Sequence, residues 1–224
     1  MYVGRKMTTE VITVTPDTTI VHARDLLREH NIKQLPVVNK HGKLVGILTD
    51  RDIRSAWASP ATTLSIYELT YVLQKLTVES VMVKKVITTT ADATIERAAK
   101  IMHDHKIGSL PVVKDDGVVG IITNTDLMEV LLDALGVTEE NGRIAVLVRD
   151  RIGVLADVCG LLARGNINIR SMVTLPLHQY PGISEVVMRL NPADRPSAVE
   201  HLTQAGYKVI TEYKKDLGPF LPAK

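Results

Sequence analysis

A chain of 224 residues is too long for one ordinary core and short enough that two or three compact units use all of it. With 45% hydrophobic and 23% charged residues it is neither disordered nor fibrous, and its 27 basic and 25 acidic side chains are interspersed, which excludes the basic stripe of a dedicated nucleic-acid surface. A single cysteine, Cys159, excludes an internal disulfide framework, and no stretch approaches the roughly 18–20 apolar residues of a membrane span or forms an apolar leader, so a cytoplasmic protein with no membrane partner is expected.

In chain order, Val11–Val14 reads as a strand, followed by an Asp/Thr cap and a helix. Leu35-Pro36-Val37-Val38 reads as a second strand, Gly42 as a turn, and a short apolar run ending at Thr49 as a third strand that delivers the chain to another helix. Ser65-Ile66-Tyr67-Glu68 is a capping-box signature, and Leu69, Val72, Leu73 and Leu76 continue it at helical spacing, so the connector over 59–78 is predicted to be an amphipathic helix.

The same signals then recur. Met7–Ile53 can be laid on Met82–Leu127 with one deletion after Gly117, giving about 20 identities over roughly 46 positions. In this second copy Val86–Thr89 reads as the first strand. Ile95, Ala98, Ala99 and Met102 share one helical face, Leu110-Pro111-Val112-Val113 is the next strand, and Thr123 ends the third. A duplicated βαββα half-domain is therefore expected, packed as a pseudo-symmetric pair over 1–58 and 79–136.

The pattern changes after Leu135-Gly136. Residues 136–142 are polar and aperiodic, as a boundary should be. Beyond them Arg143–Arg149 reads as a strand and Ile152–Arg164 as a helix with Leu155, Val158, Cys159 and Leu162 on one side, stopped by Gly165-Asn166. Strands at Ile167–Leu175 and Ile183–Leu190 flank a Pro181-Gly182 turn, and a helix at Pro196–Ala205 and a strand at Tyr207–Tyr213 complete a βαββαβ, ferredoxin-like order over 143–215. Residues 216–224 read as a loosely held tail. The fold class is thus α+β.

The most informative constellation is Gly46-Ile47-Leu48-Thr49-Asp50-Arg51-Asp52, matched by Gly120-Ile121-Ile122-Thr123-Asn124-Thr125-Asp126. Each delivers a hydroxyl and a carboxylate, three residues apart, to the start of a helix. The carboxylate can accept hydrogen bonds from two vicinal ribose hydroxyls, and the helix N-terminus offers amides to phosphate. The same spacing is also an ordinary N-terminal cap, and the two roles can coexist.

These repeated units, with the Leu-Pro-Val-Val segment before each, resemble a pair of CBS domains, the adenosine-ligand sensing modules, over Met1–Gly136. The resemblance implies a disc-shaped, Bateman-type pair with two clefts for AMP, ADP, ATP or S-adenosylmethionine as regulatory ligand rather than required cofactor. Asp52 and Asp126 are then expected to hold ribose hydroxyls, and Thr49 and Thr123 to contact ribose or phosphate. Ile12, Thr13, Ile87 and Thr88, with Pro36 and Pro111, are expected to frame the adenine, although Ile12 and Ile87 are equally suited to core packing. Arg51 and Arg54 follow the first motif where the second has no charge, so the first cleft is expected to prefer a phosphorylated ligand unless both arginines are solvated.

Asp150-Arg151-Ile152-Gly153-Val154-Leu155 followed by Gly165-Asn166-Ile167-Asn168-Ile169 resembles the ACT domain, an amino-acid-sensing regulatory module, over Arg143–Tyr213. That resemblance implies Asp150, Gly153 and Asn166 as effector contacts, often across a dimer interface. Ile152 stands where proline is common and Val148 is apolar where some members carry a polar contact, so the module can instead serve dimerisation alone. Asparagine after glycine is also an ordinary helix stop.

No dinucleotide or P-loop glycine motif occurs. His103 and His105 point to different sides of a helix, and His30 and His105 sit at equivalent helix C-termini, where the dipole favours them. Cys159 reads as a packing residue, and no catalytic constellation is found. The expected protein is a non-catalytic, homodimeric regulator of an unknown target enzyme, and the three-part order resembles acetoin-utilization regulatory proteins. The rivals are a structural adaptor that dimerises and recruits an enzyme without nucleotide, and an enzyme subunit with cryptic catalysis.

Overall fold

The computed structural model describes residues 1–58, 75–137 and 142–222, which cluster into two compact units, Met1–Met128 and Glu129–Lys224.

In the first unit, copy 1 consists of α1 (Ile20–Glu29), β1 (Gln34–Val38), β2 (Leu44–Thr49) and α2 (Asp50–Ala58). After the short α3 (Val78–Val81), copy 2 repeats this as α4 (Ile95–His105), β3 (Ser109–Lys114), β4 (Gly117–Thr123) and α5 (Asn124–Ala134), the last running past the limit of the unit. The helices α1 and α4 begin for the same reason. The Thr19 hydroxyl accepts from the His22 amide at 3.3 Å and the Thr94 hydroxyl from the Arg97 amide at 3.2 Å, satisfying donors that a helix N-terminus leaves unpaired. The predicted stripe on α4 is present, with Ile95, Ala98 and Met102 buried.

The strands expected at Val11–Val14 and Val86–Thr89 shrink to one parallel bridge each, Val14 to Val37 and Thr89 to Val112. The reason lies in Pro36 and Pro111. The Val14 amide donates to Pro36 O at 3.1 Å and Val38 donates to Val14 O at 2.9 Å, so the next ladder bond has to come from a Pro36 N–H to Ile12 O. Proline has no such donor, and Pro111 stops the ladder at Thr89 in the same way.

Each copy is completed by chain from the other. Ile47 and Val83 exchange backbone hydrogen bonds of 3.0 and 2.9 Å, and Ile121 and Thr8 exchange two of 2.9 Å. The motif glycines permit this approach: a Cβ on Gly46 stands 2.4 Å from Met82 Sδ, and one on Gly120 stands 2.5 Å from Met7 Sδ. The core of copy 1 gathers Ile20, Ala23, Leu35, Val37, Leu48 and Ile53, joined by Val78. The connector helix expected over 59–78 lies outside the described residues through 74, so its Ser65–Glu68 cap and its Leu69, Val72 and Leu73 are not described. At its end, Leu76 O accepts from the Ile20 amide at 2.9 Å.

The second unit has β5 (Gly142–Arg149), α6 (Val154–Arg164), β6 (Ile169–Pro176), β7 (Ile183–Leu190), α7 (Arg195–Gln204) and β8 (Val209–Ile210). The strands pair antiparallel in the order β6-β7-β5-β8, which is the ferredoxin-like arrangement. Alternate residues Ile144, Val146 and Val148 of β5 and Val186, Met188 and Leu190 of β7 face the helices, where they meet Val158, Leu162, Ala198 and Leu202. Helix α6 starts at Val154, not at Ile152, because Gly153 before it is left-handed with φ 83°. The last strand is shorter than the predicted Tyr207–Tyr213, since the Arg195 guanidinium takes the Thr211 carbonyl at 2.9 Å.

The part of the expected tail that is described packs on the sheet. Leu217, Phe220 and Leu221 lie on Ala145, Leu147 and Ile210, the sheet face turned away from the helices, and Lys208 Nζ donates to Leu221 O at 3.1 Å. Phe220→Asp is expected to lower stability by about 1–3 kcal/mol, by exposing this face and burying a charge against it. Thermal unfolding and limited proteolysis of the C-terminus read the change, and an unaltered midpoint contradicts it. Among the described residues no helix is long and apolar enough to cross a membrane.

Candidate functional site

Each motif closes into a reciprocal cap. The amide and hydroxyl of Thr49 donate to Asp52 Oδ2 at 2.9 and 2.6 Å, and the Asp52 amide donates back to the Thr49 hydroxyl at 3.2 Å. The second copy repeats this, with Thr123 donating to Asp126 Oδ2 at 2.7 and 2.9 Å and the Asp126 amide returning a bond of 3.4 Å. One carboxylate oxygen is therefore engaged and the side chain held still. The other, Oδ1, has no hydrogen-bond partner among the described residues in either copy. The cap and an available acceptor coexist.

Thr49, Arg51 and Asp52 of copy 1 line a cavity of about 310 Å³ whose opposite wall is copy 2: Val86, Ile87 and Lys106 to Ser109. The crossed pairing of Ile47 with Val83 is what brings the Val86–Ile87 segment there. Of the residues expected at this site, Thr49, Arg51, Asp52 and Ile87 come together. Arg54 does not line the cavity and pairs with Asp50 one turn back. Pro36 and Pro111 are buried in their hairpins, and Ile12 packs on the core of copy 1. Thr13 is half-buried. Thr88 lines a different cavity, of about 460 Å³, with Thr90, Asp92, Thr94 and Arg97. There the Thr90 hydroxyl holds the Asp92 carboxyl below the usual carboxylate range.

The sequence reading missed Lys85 and Lys106, which line the same cavity as Asp52. The signal was present in the internal alignment, where Lys85 falls opposite Glu10 and Lys106 opposite Asn31. Lys106 is left-handed at φ 54° at the end of α4, as Asn31 is at φ 51° beyond α1.

In the second unit Asp150 and Gly153 line a cavity of about 340 Å³ with Val148, Val154, Thr174 and Ser184. Ser184 is buried and Thr174 exposed, and neither was singled out in the sequence. Asn166 lies beyond the opposite end of α6, left-handed at φ 54° and donating to Ala163 O at 3.0 Å, the geometry of a helix stop. Arg151 is held by Asp157 at 2.5 Å, which leaves Asp150 as the charged group facing this space without an ion pair among the described residues. Cys159 is half-buried on α6, and no group of His, Cys, Asp and Glu among the described residues could hold a metal ion.

The CBS domain model matches residues 3–59 and 78–133, and the model of the AHAS small subunit-like ACT domain matches residues 144–210. L-aspartate semialdehyde sulfurtransferase of Methanocaldococcus jannaschii is 38% identical over 117 residues, which are 52% of this chain and 20% of that protein. The chain thus spans about a fifth of the length of that enzyme. Among solved structures, the CBS domain pair of protein MJ0100 in complex with 5'-methylthioadenosine and S-adenosyl-L-methionine is 34% identical with a TM-score of 0.51, covering 58% of this chain and 95% of that one. The structure of a candidate acetoin utilization protein (AcuB) from Vibrio cholerae is 29% identical with a TM-score of 0.52, covering 61% of this chain and 93% of that one. The chain belongs to the CBS-domain family, as a tandem CBS pair followed by an ACT-like domain.

Proposed function

We propose that this chain is a non-catalytic regulatory sensor that binds an adenosine-containing ligand, AMP, ADP, ATP or S-adenosylmethionine, in its CBS pair. The observation that carries the reading is the pair of immobilised aspartates, Asp52 and Asp126, each with one engaged oxygen and one available acceptor, Asp52 lining a cavity that both copies build. A carboxylate held in this way can take both hydroxyls of a ribose without losing side-chain freedom on binding. Residues 1–136 form the sensing pair in this proposal. The MJ0100 pair, crystallised with two adenosyl ligands, supports the ligand class.

A ligand in the Asp52 cavity touches copy 1 through Thr49 and Asp52 and copy 2 through Ile87, so its occupancy bears on how the copies meet. Regulation follows where the ligand favours one arrangement over another. The ACT domain over 143–215 acts as the dimerisation element of a cytoplasmic homodimer or takes a small amino-acid effector, whose ammonium group suits Asp150. The target is an enzyme of carbon metabolism, a reading that the AcuB likeness supports for acetoin use.

A thermal-shift panel of AMP, ADP, ATP, S-adenosylmethionine and amino acids tests this. A ligand at a hundred times its dissociation constant stabilises the native state by about 2.7 kcal/mol, which raises the midpoint measurably. No shift with any adenosine compound favours the nucleotide-free adaptor instead.

A further inference from the structure

Two clefts made from one duplicated unit differ in ligand only where their residues differ, and here the differences are in charge. Arg51, Lys85 and Lys106 line the cavity that holds Asp52, and none of the three has an ion-pair partner among the described residues. Three cations thus face one carboxylate, whose Oδ2 is already engaged by Thr49.

The corresponding positions around Asp126 carry different groups. Thr8 exchanges backbone bonds with Ile121 as Val83 does with Ile47, so Glu10 follows its bridge by the same two residues as Lys85. Asn31 occupies the left-handed position after α1 that Lys106 occupies after α4. Thr125 stands two residues beyond the motif threonine Thr123, where Arg51 stands two beyond Thr49. All three cations are replaced, one of them by a carboxylate. Lys33, opposite Gly108, returns one positive charge, so Asp126 and Glu10 still outnumber the cations at these positions.

We propose that the two clefts sort adenosine ligands by charge: the Asp52 cleft takes a phosphorylated adenosine, and the Asp126 cleft takes an adenosine ligand without phosphate, neutral or cationic. The physical basis is that phosphate gains charge-assisted hydrogen bonds from arginine and lysine, whereas the same group beside Glu10 and Asp126 meets like charge. This rests on the adenosine reading above and assigns a ligand class to each half of it. Two ligands of different charge then report separately on one chain.

Calorimetry on the full chain with ADP and with 5'-methylthioadenosine tests the proposal. The wild type is expected to bind ADP at one site per chain. Replacing the three cations by their counterparts, Arg51→Thr, Lys85→Glu and Lys106→Asn, is expected to weaken ADP roughly a hundredfold and to leave 5'-methylthioadenosine within about threefold. The reverse exchange, Glu10→Lys with Thr125→Arg at exposed positions, is expected to add a second ADP site. If ADP binds the triple variant as tightly as the wild type, or the reverse exchange leaves its stoichiometry at one, charge sorting is overturned while the adenosine reading stands. If neither compound binds the wild type, the adenosine reading falls and the sorting falls with it.

Discussion

The double variant Asp52→Ala, Asp126→Ala is expected to lose adenosine binding at both clefts, by roughly 10- to 100-fold at each. Hydrogen bonds to a charged acceptor contribute about 1.5–3 kcal/mol, and a ribose diol placed on each Oδ1 loses that acceptor in the variant. Stability also falls, by about 1 kcal/mol per site, because the same carboxylate accepts the Thr49 or Thr123 amide and hydroxyl at the start of α2 or α5. The two effects separate in Asp52→Asn. The amide oxygen still accepts from Thr49, so the cap is largely retained, while the charge that strengthens a sugar contact is gone. Isothermal calorimetry with adenosine measures the first effect and thermal unfolding without ligand the second. Adenosine affinity within twofold of wild type in the double variant would falsify the ribose role and leave two helix caps.

The largest stability effect is expected from Leu48→Ala. Leu48 is fully buried on β2, opposite Leu35 in the hairpin register, in the core of copy 1. Truncating such a leucine removes its transfer free energy and leaves a cavity, a loss of about 2–5 kcal/mol. Circular dichroism follows the loss of α1 and α2 in urea. The urea midpoint is expected to fall, with little change in the slope. A midpoint equal to that of the wild type contradicts the assignment of Leu48 to this core.

Much of the fold was legible because its signals are local. The stripe of Ile95, Ala98 and Met102, the threonine caps at Thr19 and Thr94, the hairpin around Gly42, and the βαββαβ order beyond 142 each depend on residues a few positions apart. The over-long first strands were misread from local signals too. Val11–Val14 has strand composition, and what shortens it is the missing N–H of Pro36 on a neighbouring segment. In the last strand, Arg195 diverts the Thr211 carbonyl from a distance of sixteen residues. The tail looked loose because prolines interrupt its pattern, yet Leu217, Phe220 and Leu221 have an apolar sheet face to cover.

The candidate site divides along the same line. By itself the sequence determined that two equivalent Thr-x-x-Asp motifs stand at helix starts after a glycine and an apolar strand, because a cap is a three-residue event. It also determined that a ferredoxin-like module follows the pair. Only the tertiary structure decided that the wall facing Asp52 comes from the other copy, that Lys85 and Lys106 join Arg51 there while Arg54 turns to Asp50, and that Asn166 is remote from Asp150. The physical reason is the crossed bridges at Ile47–Val83 and Thr8–Ile121: they join segments far apart in the chain through backbone hydrogen bonds, which carry no side-chain signature.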